Sequence, residues 1–289
     1  MKCGSGGWDL QTGCRFAGPQ RVDQQSAAPR RPSVPAPPRD LDLAYIYDDS
    51  LEGLLSAIFQ AYARHQNPGA LLPSTGAQLA LGQRAEEISA DGRQALRVRN
   101  GIVSQLGAVT FNDVERVFLS DAADRGTAAY RFLRCGFEVG GKVRNDLAHP
   151  DVARFAQLSV SVAAECERVR QFTRFRQMEG GVFYARISPT ACVIPLVMGG
   201  FAARMGPEPF LLYDDVHQLA GVWDGRRWGL RRTTGVKPPA PTAAEAQMAR
   251  LWRTFYQTIG VEQRACERLR RQLMPVRFWP HMTEFETLD

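Results

Sequence analysis

Acid/base and anion-binding chemistry has few seats in this sequence, and the most demanding is the stretch ECERVRQFTRFRQ, residues 165–177. At 100° per residue, Leu158, Val162, Val169, Phe172 and Phe175 share one arc of a helix, and Glu165 and Arg168 fall within that arc instead of opposite it. A charge in an apolar arc is costly unless paired, and residues three apart on a helix can pair. The pair therefore reads either as a partly buried structural bridge or as part of an interior cleft where Arg168, held by Glu165, meets a phosphate or another anion. Arg174 falls at the junction beyond the helix, nearer the mouth of such a cleft, where exposure costs little.

Other candidates are more scattered. YDDVHQ, residues 213–218, sets two carboxylates beside a histidine. In a strand Asp215 and His217 share one face and Asp214 takes the other, which makes an acid/base pair available. Asp48 and Asp49 lie in a strand-to-helix turn, where they serve either a metal or, more simply, the helix N-terminus and an Asx turn. Asp48, Glu165, Asp214 and His217 are thus the acid/base candidates. Near the C-terminus Arg264, Arg268, Arg270, Arg271 and Arg277 accompany Phe278 and Trp279. That combination suits base stacking beside phosphate contacts, and equally a solvated arginine face whose aromatics close the core.

Much else is excluded. The sequence has no GxSxG, HExxH, dinucleotide-binding or P-loop motif. His65, His149, His217 and His281 are far apart, and the six cysteines include no CxxC, so neither a metal nor a cofactor is expected. Cys135, Cys166 and Cys192 sit among apolar residues and read as small core hydrophobes.

The elements that must position these residues follow from pattern. Of 289 residues, 44% are hydrophobic and 23% charged, an ordinary globular balance with a net charge of +6 that weakly favours polyanions. Residues 1–40, rich in Pro, Gln, Ser and Arg, read as a flexible basic arm before a single domain over 41–289. LAYIYDDSLEG predicts a strand, an N-cap at Ser50 and a helix with Gly53 early in it. An edge strand and three helices follow, the last of the three stopped by Gly140 and Gly141. Pro150 opens the long helix, which ends near Phe172. RFRQMEGGVFYARISP then predicts a hairpin that points Arg174, Arg176 and Arg186 toward one surface. A short helix, two or three antiparallel strands and the linker GVKPPAPTAAE lead to a helical C-terminal subregion from about 243, where Met248, Trp252, Phe255 and Ile259 share a face. The expected class is α+β, mostly helical, with a small antiparallel or mixed sheet. No apolar run is long enough to span a bilayer, and the cysteine usage fits a cytoplasmic location.

YDDSLEGLLSAIFQAY, ECERVRQFTRF, GGVFYARISPTACVIPLV, LLYDDVHQLAGVWDG and the segment from Leu251 to Phe285 occur in the order seen in a bacterial family of DNA metabolism or repair proteins. The chain resembles that family over about residues 43–286. Tyr47, Asp48, Glu52 and Gly53 match its first motif, and Glu165, Arg168, Phe172, Arg174 and Phe175 its middle one. Trp252, Arg264, Pro275, Trp279 and Glu284 match its last. Departures are Glu167 and Gly200, where the family shows histidine, His217 for arginine and Cys266 for asparagine. The resemblance implies a DNA-associated accessory protein encoded beside a DNA-modifying radical S-adenosylmethionine protein, and related forms are joined to a uracil-DNA glycosylase-like domain. Two alternatives accompany it: a base-processing enzyme such as a glycosylase, and a scaffold that binds only the partner enzyme. For DNA or anion binding the residues expected are Arg168, Arg174, Arg176, Arg264, Arg268, Arg271, Arg277 and Trp279.

Overall fold

A computed structural model describes residues 38–259 and 266–285. The expected arm and Arg264 therefore lie outside the described residues, apart from the arm's last three positions. Strand β1 (Asp40–Tyr47) leads through an Asp48–Asp49 turn into α1 (Leu51–Ala63), capped by the Ser50 side chain on the Gly53 amide. Gly53 is required there: a Cβ at this position would fall 1.9 Å from the Asp48 carboxylate. β2 (Pro68–Pro73) and β3 (Arg84–Ile88) pair parallel to β1 on its two sides. α1 packs on this sheet and α4 (Arg125–Val139) on β2, while α2 (Gly92–Leu106) packs on α1 and α3 (Ala108–Phe118) on α2 and α4.

The long helix α5 (Pro150–Phe172) begins where Pro150 fits the first turn and the His149 ring accepts the Asp151 amide. Its 23 residues span about 34 Å. Val152, Phe155 and Leu158 belong to one hydrophobic cluster, built on β1, α1 and α4. Val162, Cys166 and Val169 belong to a second, with α6 (Ile194–Met205) and the second sheet. One helix is thus the shared spine of both cores.

The second sheet runs β4 (Arg176–Gln177), β5 (Phe183–Ile187), β6 (Phe210–Asp214), β7 (Leu219–Trp223) and β8 (Trp228–Arg232) in spatial order. The β4–β5 hairpin turns through Gly180 and Gly181, both at positive φ. β5 and β6 are parallel because α6 carries the chain between them; the other pairs are antiparallel. One face, with Ala185, Phe210 and Leu212, packs on α6 and α5. The other carries Arg176 opposite Tyr184, and a row from Arg186 through Tyr213 and Ala220 to Arg231.

The segment after β8 crosses this second face as a strap. It is tied at one side by the Gly235 amide on the Tyr213 hydroxyl at 2.9 Å. At the far side Glu179 donates to Ala240 at 2.8 Å, Thr242 donates to Gln177 at 3.0 Å, and Met178 bridges Pro241. α7 (Ala243–Thr258), α8 (Glu267–Leu273) and 3-10 turns at Val276–His281 and Thr283–Phe285 complete the described chain.

The class is α+β and mainly helical, as expected. The single small sheet becomes two, and the first is wholly parallel. PGALLP is short and bracketed by prolines, so it carries no strand signature of its own; pairing with β1 makes it one. Cys135 and Cys192 are half-buried, and only Cys166 of the three expected core cysteines is fully buried. Among the described residues no helix is long and apolar enough to cross a membrane.

Candidate anion-binding cleft

Between the strap and the second face of the five-stranded sheet lies a cleft of about 290 Å³. Its floor is Arg176, Tyr184 and Arg186, which alternation along β4 and β5 puts on one face. Pro238, Pro239 and Pro241 of the strap form one wall, and Arg174 and His281 stand at the other. Among the described residues no carboxylate lines it. The cavities around Asp113 and around Asp151 differ in this respect, each holding an acid against its arginines.

The carboxylates that belong to these basic groups stand behind them. Asp215 accepts Arg186 Nε at 2.9 Å, which fixes the guanidinium and leaves both of its terminal nitrogens without a partner among the described residues. Asp215 also accepts the Ser188 hydroxyl at 2.7 Å, and Ser188 Oγ lies 2.7 Å from His281 Nε2. Burial holds the His281 pKa below the ordinary histidine value against the pull of Asp215, with Arg186 adding to the depression. Burial likewise raises the Tyr184 hydroxyl, keeping it protonated.

Arg174 is engaged more fully than exposure at a cleft mouth implies. It donates to Glu284 through Nη2 at 2.7 Å and Nε at 3.4 Å, and through Nη1 to the Gln171 carbonyl at 2.9 Å. The Glu284 side chain is 2% exposed. Burial alone would raise its pKa, but the hydrogen bond from Arg174, with a backbone amide and Trp252, holds it below the usual carboxylate range. Arg176 donates to Thr283 Oγ1 at 3.5 Å.

The other expected residues are placed differently. Glu165 is buried as expected, but its nearest cation is Arg277 at 2.5 Å, with Arg168 at 3.3 Å and the Thr190 amide at 3.0 Å. Arg168 reaches no interior cleft; its side chain is 43% exposed. The guanidinium leaves the apolar arc along its flexible stem while the shorter Glu165 cannot. Arg277 is thereby committed to Glu165 and not to a ligand. Trp279 is no open stacking platform, since Phe285 stacks on it at 4.7 Å and Arg270 lies over its ring. Arg271 pairs with Glu267 in the same helix, and Arg268 is exposed with no salt bridge among the described residues.

The acid/base candidates do not converge. The Asp48 carboxylate closes the turn with Ser50. Asp214 is fully buried, and it, not Asp215, holds His217, through Nδ1 at 2.6 Å and the backbone amide at 3.0 Å. The strand ends at Asp214, so alternation stops where the expected Asp215–His217 pairing needs it to continue. The histidine departures at 167 and 200 meet in space: Glu167 pairs with Arg170, and a Cβ on Gly200 would sit 3.6 Å from Arg170 Nε.

Among the described residues one set of metal-ligand types comes together, Cys135, His149 and Asp151, with ligand atoms within 4.8 Å of one another. Its chemistry does not suit a cation. Asp151 is already held by Arg39 and, at 4.0 Å, by Arg131. His149 Nδ1 accepts an amide as the cap of α5, and burial, with Asp151 nearby, raises the Cys135 thiol.

His281, Ser188 and Tyr184 escaped the sequence reading. The only local signal for Tyr184 was its place two residues before Arg186 in a strand, and His281 lies 93 residues from Ser188. No curated protein matches the chain. A family model matches residues 123–284, more than half of the 289 residues and the whole cleft from Arg174 to His281. The chain therefore belongs to the family described as a domain of unknown function, DUF4130.

Proposed function

We propose that this protein associates with DNA and holds its phosphates along the strapped face of the five-stranded sheet. The observation that carries this reading is the cleft that brings Arg174 and Arg176 beside Arg186, whose two terminal guanidinium nitrogens have no partner among the described residues. Phosphate contacts of this kind release counterions and need no base readout. The basic strip continues across the sheet: Arg231 shares the Arg186 row about 14 Å away, three strand spacings. Arg226, Arg227, Arg231 and Arg232 form no salt bridge among the described residues.

The family resemblance supplies the context, a cytoplasmic accessory to a DNA-modifying radical S-adenosylmethionine protein. The iron–sulfur cluster and the S-adenosylmethionine would belong to that partner, because this chain has no close cysteine pair. The exposed Met248, Leu251 and Phe255 on α7 offer an apolar face for it. A glycosylase-type activity has less support, since Asp48, Glu165 and Asp214 are each committed to structural partners.

Fluorescence anisotropy at low salt, with single-stranded, duplex and uracil-containing DNA, tests the reading. Binding is expected to weaken steeply as salt rises. Arg186→Ala should lower affinity about tenfold and reduce the salt slope by about 1, whereas Arg168→Ala should change neither. No binding to any DNA, or full binding by the Arg186 variant, overturns it.

A further inference from the structure

The hydrogen-bond chain behind the cleft determines which nitrogen of His281 faces a ligand. Ser188 has one hydroxyl proton and two acceptors to choose from, at 2.7 Å each. Asp215 is the stronger acceptor because it is a carboxylate paired with Arg186. The proton therefore goes to Asp215, and Ser188 Oγ must accept from His281 Nε2–H. That fixes the tautomer of the neutral imidazole and leaves Nδ1 as a bare lone pair. Nδ1 has no protein partner among the described residues, and His281 lines the cleft. Depression of the His281 pKa by burial agrees with a neutral ring.

A ligand here thus meets two kinds of group at once. The two free nitrogens of Arg186 and the Tyr184 hydroxyl are donors that call for anionic oxygens. Nδ1 calls for a proton donor. An internal phosphodiester satisfies the first and not the second, because it carries one negative charge and no O–H. A phosphate monoester satisfies both: it carries between one and two negative charges near neutrality, and its second proton is available to share with Nδ1. The shape agrees with a terminal group. The strap is bonded to β4 through Glu179, Thr242 and Pro241, which closes that end of the cleft to a continuous strand.

We propose that the cleft is a phosphate-monoester site that receives the phosphorylated end of a DNA strand, with Arg186 and Tyr184 binding the phosphoryl oxygens and His281 Nδ1 accepting a hydrogen bond from its P–OH. The strand-end part rests on the DNA-binding reading above. The monoester part stands on the cleft alone.

Two measurements on the full chain separate them. Calorimetry with deoxyadenosine 5′-monophosphate and its 3′,5′-cyclic diester is expected to show at least about tenfold tighter binding of the monoester. Anisotropy with otherwise identical short oligonucleotides should show a similar preference for a 5′-phosphate over a 5′-hydroxyl. His281→Ala and the uncharged, polar Arg186→Gln should both flatten the two preferences, with circular dichroism confirming that each variant is folded. Equal or absent binding of monoester and diester overturns the site. A monoester preference in the nucleotides with none between the oligonucleotides assigns the cleft to a free nucleotide and overturns strand-end recognition. If neither oligonucleotide binds, the DNA-binding reading itself fails, and with it the strand end, whatever the nucleotides do.

Discussion

Arg174→Ala is expected to destabilise the fold by about 3 kcal/mol, because it strands the Glu284 carboxylate in the interior. Glu284 would keep only Trp252 Nε1 at 3.2 Å and a backbone amide, too little to hold a full charge. The variant should relieve this by protonating Glu284. Its stability deficit is therefore expected to shrink as pH falls. In the parent chain the sign is opposite: the folded Glu284 pKa lies below the unfolded value of 4.5, so the stabilisation is present above that value and is lost as pH falls through the folded pKa. Denaturant melts between pH 7 and pH 3 check both slopes. Adding Glu284→Gln to Arg174→Ala should recover a large part of the loss, and a double-mutant cycle with no coupling would contradict the pairing.

The second large effect separates two arginines that share one acid. Arg277→Ala should cost about 2 kcal/mol and Arg168→Ala well under 1 kcal/mol. Arg277 contacts Glu165 at 2.5 Å and lies over the Phe278 ring, in the same 3-10 turn that positions His281. Arg168 meets the same oxygen at 3.3 Å with its side chain 43% exposed, and its removal leaves Glu165 with Arg277 and the Thr190 amide. Chemical denaturation of the two variants side by side measures the difference. Equal losses would mean that Arg168 is the true partner of Glu165. Because Arg277 precedes His281 in one turn, its variant should also weaken binding in the cleft, while the Arg168 variant should not.

What the sequence makes legible is what local rules govern. The Ser50 cap, the Pro150 start and Phe172 end of α5, the Gly180–Gly181 hairpin and the common face of Arg176 and Arg186 each depend on local pattern along one helix, turn or hairpin. Burial of Glu165 was legible from its helical angle for the same reason. The identity of its partner was not, since Arg277 is 112 residues away. Arg174 and Glu284 are 110 residues apart, and that pairing turns an arginine expected at the surface into a structural one. The three-residue spacing of Glu165 and Arg168 gave one of the two cations on Glu165, at 3.3 Å, but not the closer one, Arg277 at 2.5 Å.

The cleft itself depends on long-range placement. Its floor was readable from alternation, but its roof is a proline-rich segment that composition describes only as a linker. Nothing in GVKPPAP indicates that it returns across the sheet to β4; that follows from Tyr213 and Gln177, which tie its two sides. The C-terminal arginines were open to two readings, a nucleic-acid surface or a solvated face beside core aromatics. In the structure Arg270 and Arg271 both pair with Glu267 and Arg277 turns inward.

Hydrogen exchange of the full chain, with and without saturating DNA, locates the interface most directly. Slowed exchange is expected in the backbone amides of residues 176–187 and 233–242, the two sides of the cleft, with little change in residues 266–277. Protection confined to the C-terminal arginine helix, with none in the strap or the β4–β5 hairpin, would contradict it.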